Sequence, residues 1–130
     1  MVGQRHRSLA GVRVLVAEDE FVNKLLFEDM LGELGAEVVA SVSSADKIVA
    51  AAERDKPDVV ILDVNLRGEL VYGAAIALRE RGTPFVFVSG YNPLLDSPPD
   101  LEDVPRVNKP FRLRELETAL REALARPGAR

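Results

Sequence analysis

At 130 residues, with a formal net charge of −4 and no cysteine, the chain has room for one domain with a substantial core, and it carries neither a disulfide framework nor a thiolate metal site. The acidic balance argues against a general nucleic-acid binder. No apolar run approaches a membrane span and no signal-peptide pattern opens the chain, which suits a cytoplasmic protein.

Residues 1–10 read as a tail, in which Arg5, His6 (the single histidine) and Arg7 are solvated charges. Val12-Arg13-Val14-Leu15-Val16-Ala17 is a short apolar strand running into Glu18-Asp19-Glu20. From Phe21 to Leu34 the spacing is helical, with Val22, Leu26, Met30 and Leu34 on one side and Gly35 as the stop. Glu37 to Val42 is a second strand. Ser43 or Ser44 then caps a helix whose Ala45, Ile48, Val49 and Ala52 share a face. Lys56-Pro57-Asp58 breaks the chain before Val59-Val60-Ile61-Leu62, an apolar run expected to be a central strand buried on both faces. It ends in Asp63. Leu66-Arg67-Gly68 reads as a loop, followed by a helix to about Arg81 with Val71, Ala74, Ala75 and Leu78 inward.

Phe85-Val86-Phe87-Val88 is a fourth buried strand, ending in Ser89-Gly90. Between Tyr91 and Val104 a helix is due, yet Pro93, Pro98 and Pro99 fall there. Proline inside a helix costs roughly 3 kcal/mol, so a short or irregular helix is expected. A short strand from Arg106 to Asn108 precedes Lys109-Pro110. The last helix puts Leu113, Leu116, Leu120 and Leu124 on one stripe, and residues 126–130 form a second tail. Strand and helix thus alternate, which predicts a parallel α/β sheet with right-handed crossovers and helices on both faces, filling residues 11–125.

In such a sheet the carboxyl ends of the strands form the ligand crevice. Those ends carry Glu18 and Asp19, then Asp63, Ser89 and Lys109. Taken singly, each has an ordinary explanation as a cap, a turn or a surface charge. Together they describe a site. Clustered carboxylates repel unless a cation joins them, and all-oxygen ligands without Cys or His suit Mg²⁺. Lys109 offers a point charge and Ser89 a hydroxyl to phosphoryl oxygens. A carboxylate beside such groups suits phosphoryl transfer to Asp63.

The acidic residues of Val16-Ala17-Glu18-Asp19-Glu20, together with Leu62-Asp63, Ser89 and Asn108-Lys109-Pro110-Phe111, resemble the receiver domain of two-component response regulators, over about Val12 to Leu124. The resemblance implies a doubly wound, flavodoxin-like three-layer sandwich with a five-stranded parallel sheet in the order 2-1-3-4-5. It implies that Asp63 accepts a phosphoryl group from a sensor histidine kinase or a phosphotransfer protein. Glu18, Asp19, Asp63 and the Asn65 backbone carbonyl would hold Mg²⁺. Lys109 and Ser89 would contact the phosphoryl group, with a cis bond before Pro110. With no room for an output domain after Leu124, the expectation is a stand-alone receiver, a monomer or weak dimer and not an enzyme, acting through a downstream protein partner.

Three departures stand out. Arg67 replaces a proline frequent four residues after the acceptor, so that loop is expected to be shaped differently. Arg106 stands where the family carries a switch aromatic, and Tyr91 is expected to take over that role. Pro84-Phe85-Val86-Phe87-Val88-Ser89-Gly90-Tyr91 is similar to the Phe-Ala-Thr-Gly receivers associated with alphaproteobacterial stress signalling, with Val88-Ser89 where Ala-Thr is usual. A dehalogenase-type phosphatase would need a carboxylic acid at position 65, which is an amide. A nucleotide-binding flavodoxin-like domain would not place Glu18-Asp19-Glu20 against an unescorted phosphate. The remaining alternative is a pseudo-receiver that binds partners without phosphorylation.

Overall fold

The computed structural model describes residues 7–90 and 98–126. Five parallel strands make one sheet: β1 (Arg13–Ala17), β2 (Glu37–Val42), β3 (Val59–Asp63), β6 (Phe85–Ser89) and β7 (Arg106–Asn108), in the order β2-β1-β3-β6-β7. Counting only these strands, that is the expected order. Helices α1 (Phe21–Glu33), α2 (Ile48–Asp55), α3 (Tyr72–Glu80) and α4 (Leu113–Ala125) lie on its two faces. No helix among the described residues is long and apolar enough to cross a membrane.

The period-two alternation of strands divides the core in two. Val14, Val16, Ile61, Val86 and Val88 pack with Phe27 and Leu31 of α1 and Leu116 and Leu120 of α4. Leu15, Val60, Leu62, Phe85 and Phe87 pack on the other side with Ile48 and Ala52 of α2 and Ala75 and Leu78 of α3. Every residue of β3 is buried, as expected of a central strand. Asp63 is therefore anchored by a strand whose truncation anywhere, Leu62→Ala for instance, would cost about 2–5 kcal/mol.

The α1 stripe differs from the expected one in its first half. Val22 and Leu26 are 74% and 44% exposed, while Leu34 is buried as expected and Met30 packs half-buried against the core, joined there by Phe27 and Leu31. The sequence offers two apolar stripes one residue apart. The stacking of Phe27 on Phe111, with centroids 5.6 Å apart, goes with burial of the second. Ser43 and Ser44 also differ. A 3-10 turn, Ala45–Lys47, precedes α2, and Ser44 at its start makes no side-chain cap bond. The Ser43 hydroxyl instead accepts from Lys24 Nζ at 2.7 Å.

The expected loop at 66–68 is a hairpin, β4 (Asn65–Leu66) with β5 (Glu69–Leu70). Its two turn residues both have positive φ, 52° at Arg67 and 83° at Gly68, as a type I′ turn requires. Proline, locked near −65°, cannot take that place, so the departure at Arg67 does reshape the loop. The region where a helix was due contains, in its described part, only the 3-10 turn Pro99–Leu101.

The N-terminal segment is more than a tail. Leu9 is buried among core residues, its N–H donates to the Leu34 carbonyl at 2.9 Å, and Gly11 N–H donates to the Gly35 carbonyl at 3.1 Å. Gly35 has φ 88°, and a Cβ there would lie 3.0 Å from Ala10 Cα. Gly11 has φ 81° and open space around it. Gly11→Ala should therefore lose only the left-handed conformational preference, about 1–2 kcal/mol, and Gly35→Ala more than that. Urea unfolding of the pair checks this, and equal losses would mean that the segment yields freely.

Candidate functional site

The carboxyl ends of β1, β3, β6 and β7 converge as the strand register demands. β1 delivers Glu18 and Asp19, and oxygens of Glu18, Asp19 and Asp63 all lie within 4.8 Å of one another. Lys109, directly after β7, donates from Nζ to Asp63 Oδ2 at 2.9 Å and lies 3.5 Å from Glu18 Oε1. The other Asp63 oxygen, Oδ1, accepts from Asn65 N–H at 3.1 Å. Ser89 is buried at the end of β6, and its carbonyl accepts from Lys109 N–H at 2.7 Å. That backbone bond ties the lysine's strand end to the serine's. The Lys109–Pro110 peptide bond is cis.

Glu18 is 1% exposed. Its Oε2 accepts from Glu20 N–H at 3.1 Å and from Asn23 Nδ2 at 3.4 Å, whereas Oε1 is buried with no hydrogen-bond partner. The Lys109 ammonium attracts Oε1 without aligning a bond to it. Burial first, and then the charge of Asp63, push the Glu18 carboxyl above its ordinary pKa, against its hydrogen bonds and Lys109. Burial alone would lower the Lys109 ammonium, but the bond and charge of Asp63, helped by Glu18, hold it above its ordinary value. An orphaned carboxylate oxygen beside two more carboxylates is the arrangement a hard divalent cation relieves. The residues present fit Mg²⁺.

Asn65 contributes differently from what its amide suggests. Its side-chain Oδ1 accepts from Gly68 N–H at 2.9 Å, closing the hairpin turn, so that oxygen is committed to local structure. Tyr91 lies outside the described residues. Sequence reasoning missed the apolar surface beside the site. Phe21 and Leu25, 71% and 49% exposed, join Val22 and Leu26 on α1. A groove of about 300 Å³ lined by Asn23, Leu26, Phe27, Lys109, Pro110 and Phe111 continues it to the lysine that binds Asp63. The signal was legible as a surplus of apolar residues in 21–34, more than one buried stripe can hold.

Residues 14–121 match the family model described as the response regulator receiver domain. The transcriptional regulatory protein PdtaR of Mycobacterium tuberculosis is 32% identical over 117 residues, which are 88% of this chain and 57% of PdtaR. The chain thus spans little more than half of that curated relative. Among solved structures, SdrG from Sphingomonas melonis Fr1 superposes with a TM-score of 0.77 at 34% identity, over 88% of this chain and 98% of SdrG. The receiver domain of the sensor histidine kinase PA1611 from Pseudomonas aeruginosa PAO1 was solved with a magnesium ion coordinated in its active-site cleft. It matches with a TM-score of 0.72 at 28% identity, over 90% of this chain and all of that one. The chain belongs to the family of response regulator receiver domains.

Proposed function

We propose that this protein is a single-domain response regulator in which Asp63 accepts a phosphoryl group from a phosphohistidine on a sensor kinase or phosphotransfer protein, and so changes which protein it binds. The observation that carries this reading is Asp63 itself. It is a buried carboxylate at the end of a fully buried strand, 2.9 Å from an ammonium and grouped with two further carboxylates. An Asp63 oxygen would attack phosphorus, the bond from phosphorus to the donor's imidazole nitrogen would break, and the imidazole would leave with that electron pair. Lys109 is placed to follow charge onto the phosphoryl oxygens, and Ser89 to donate a hydroxyl hydrogen to one of them. Glu18, Asp19, Asp63 and the Asn65 backbone carbonyl would hold Mg²⁺, which neutralises charge on the transferring group.

The apolar face of α1 supports a protein donor. Exposed Phe21, Val22, Leu25 and Leu26 begin two residues after Asp19, and exposed patches of this kind mark interaction surfaces. Leu26→Asp should lower phosphotransfer from a phosphohistidine protein at least about tenfold, the scale of one interface anchor. Labelling by acetyl phosphate, which needs no docking, should stay within about twofold by the same reasoning. Equal loss from both donors would show that the substitution damages the site and not a docking face. The similarity to the PhyR stress response regulator, 26% identical with a TM-score of 0.75, and the Phe87-Val88-Ser89-Gly90 stretch favour a place in stress-response signalling. Phosphotransfer profiling against histidine kinases tests the reading as a whole.

A further inference from the structure

The position that carries the switch aromatic in the wider family holds Arg106, and the structure gives that arginine a defined task. Its guanidinium carbon lies 5.7 Å from the centroid of Phe87. Nε donates to the Val104 carbonyl at 3.2 Å, and Nη2 to those of Leu101 at 2.8 Å and Glu102 at 3.4 Å. One side chain thus holds three carbonyls of the turn at 98–104 against the sheet. The strand register places it well for this. Arg106 pairs with Phe87, Asn108 pairs with Ser89, and Phe87 N–H donates to the Pro105 carbonyl at 3.0 Å.

We propose that Arg106 is a positioning residue that couples Ser89 to the 98–104 turn. It carries a displacement at the end of β6 through Phe87 into a rearrangement of the carbonyls it clasps. This rests on Asp63 being the phosphoacceptor, since a phosphoryl group there supplies the pull on Ser89. The clasp is incomplete. Nη1 is buried without a hydrogen-bond partner, although a guanidinium carries five donors in a fixed fork. A turn re-seated to offer Nη1 a carbonyl gains a bond that the present arrangement lacks. That difference is what two states need if a ligand is to shift between them. A phenylalanine at this position could pack on Phe87 but could not bind carbonyls, and a tyrosine would offer a single hydroxyl where the guanidinium spans three. The arginine therefore reads the same strand by hydrogen bonding.

Amide spectra of the wild type, Arg106→Met and Arg106→Lys, with and without beryllofluoride and Mg²⁺, test this. Met keeps an apolar stem on Phe87. Lys keeps the charge but not the planar fork that spans three carbonyls. In the wild type, signals from residues 63–65 and 89 and from 98–104 should all shift. In both variants the site signals should shift at an unchanged beryllofluoride concentration, with α1 and α4 signals reporting an intact fold, while the 98–104 response falls by more than half. Should Arg106→Met fail to fold, Arg106→Lys carries the same comparison. A full 98–104 response in a folded variant overturns the coupling alone. A wild-type site that ignores beryllofluoride overturns the reading of Asp63, and the coupling with it.

Discussion

Asp63→Asn is expected to fold and to take up no label from acetyl phosphate and Mg²⁺, where the wild type should form a base-labile, hydroxylamine-sensitive aspartyl phosphate. The substitution is close to isosteric. An amide oxygen at the Oδ1 position can still accept from Asn65 N–H, so the turn after β3 keeps its bond. What disappears is the anionic nucleophile, which an amide cannot replace. Lys109 loses its 2.9 Å partner but keeps Glu18 at 3.5 Å, and with its side chain 29% exposed it also reaches water. No buried cation is left stranded. Intact-mass measurement and acid-quench labelling check the result, and undiminished labelling would mean that another residue accepts the group.

Glu18→Gln should move stability and function in opposite directions. The wild-type carboxyl is buried, orphaned at Oε1 and held above its ordinary pKa mainly by burial. Relaxing a destabilised site of this kind commonly adds about 0.5–2 kcal/mol, so the variant should melt higher than the wild type without metal. The sign with pH follows from proton binding. Above the ordinary value of 4.5 the unfolded chain releases the Glu18 proton, while the folded chain holds it to higher pH. Across that window the folded state binds more protons, and its stability falls as pH rises. The advantage of Glu18→Gln is therefore absent below 4.5 and complete above the folded pKa. Added Mg²⁺ should reverse the order at neutral pH, because it binds the folded carboxylates and stabilises in proportion to the logarithm of its concentration. Melting curves at two pH values with and without millimolar Mg²⁺ give all four comparisons. A variant that gains as much from Mg²⁺ as the wild type would remove Glu18 from the metal site.

The site was largely legible in the sequence because strand ends in a parallel sheet lie on one rim, whatever their separation along the chain. Asp63 and Lys109 are 46 residues apart in the chain and hydrogen-bonded at 2.9 Å. The continuous apolar runs of β1 and β3, and the Phe-Val-Phe-Val of β6, left little choice about the sheet. What periodicity could not decide was rotation. In α1 the stripes 22-26-30-34 and 27-31-34 are equally helical and share Leu34, and choosing between Leu26 and Phe27 needed the position of Phe111, about eighty residues on. The hairpin at 65–70 was obscured because its turn uses Arg67, not Asn or Gly, at a positive φ. Arg106 shows a different limit. Read by residue type it departs from the aromatic switch, yet its guanidinium lies over Phe87, and only coordinates reveal the carbonyls within its reach.

The sheet is open at both ends, and open edges invite other chains to add strands. On one side β2 offers six residues, but the register slips between Val14 and Leu15, leaving Val39 unpaired as a bulge. Such a bulge bends and twists an edge away from a flat template. On the other side β7 is three residues long, with Lys109 directly beyond it and an arginine at its start, both poor hosts for an incoming strand. The apolar face of α1 is thus exposed on a molecule whose sheet edges resist propagating into aggregates. If partners dock on that face, recognition rests on helix side chains, where a single substitution can redirect it.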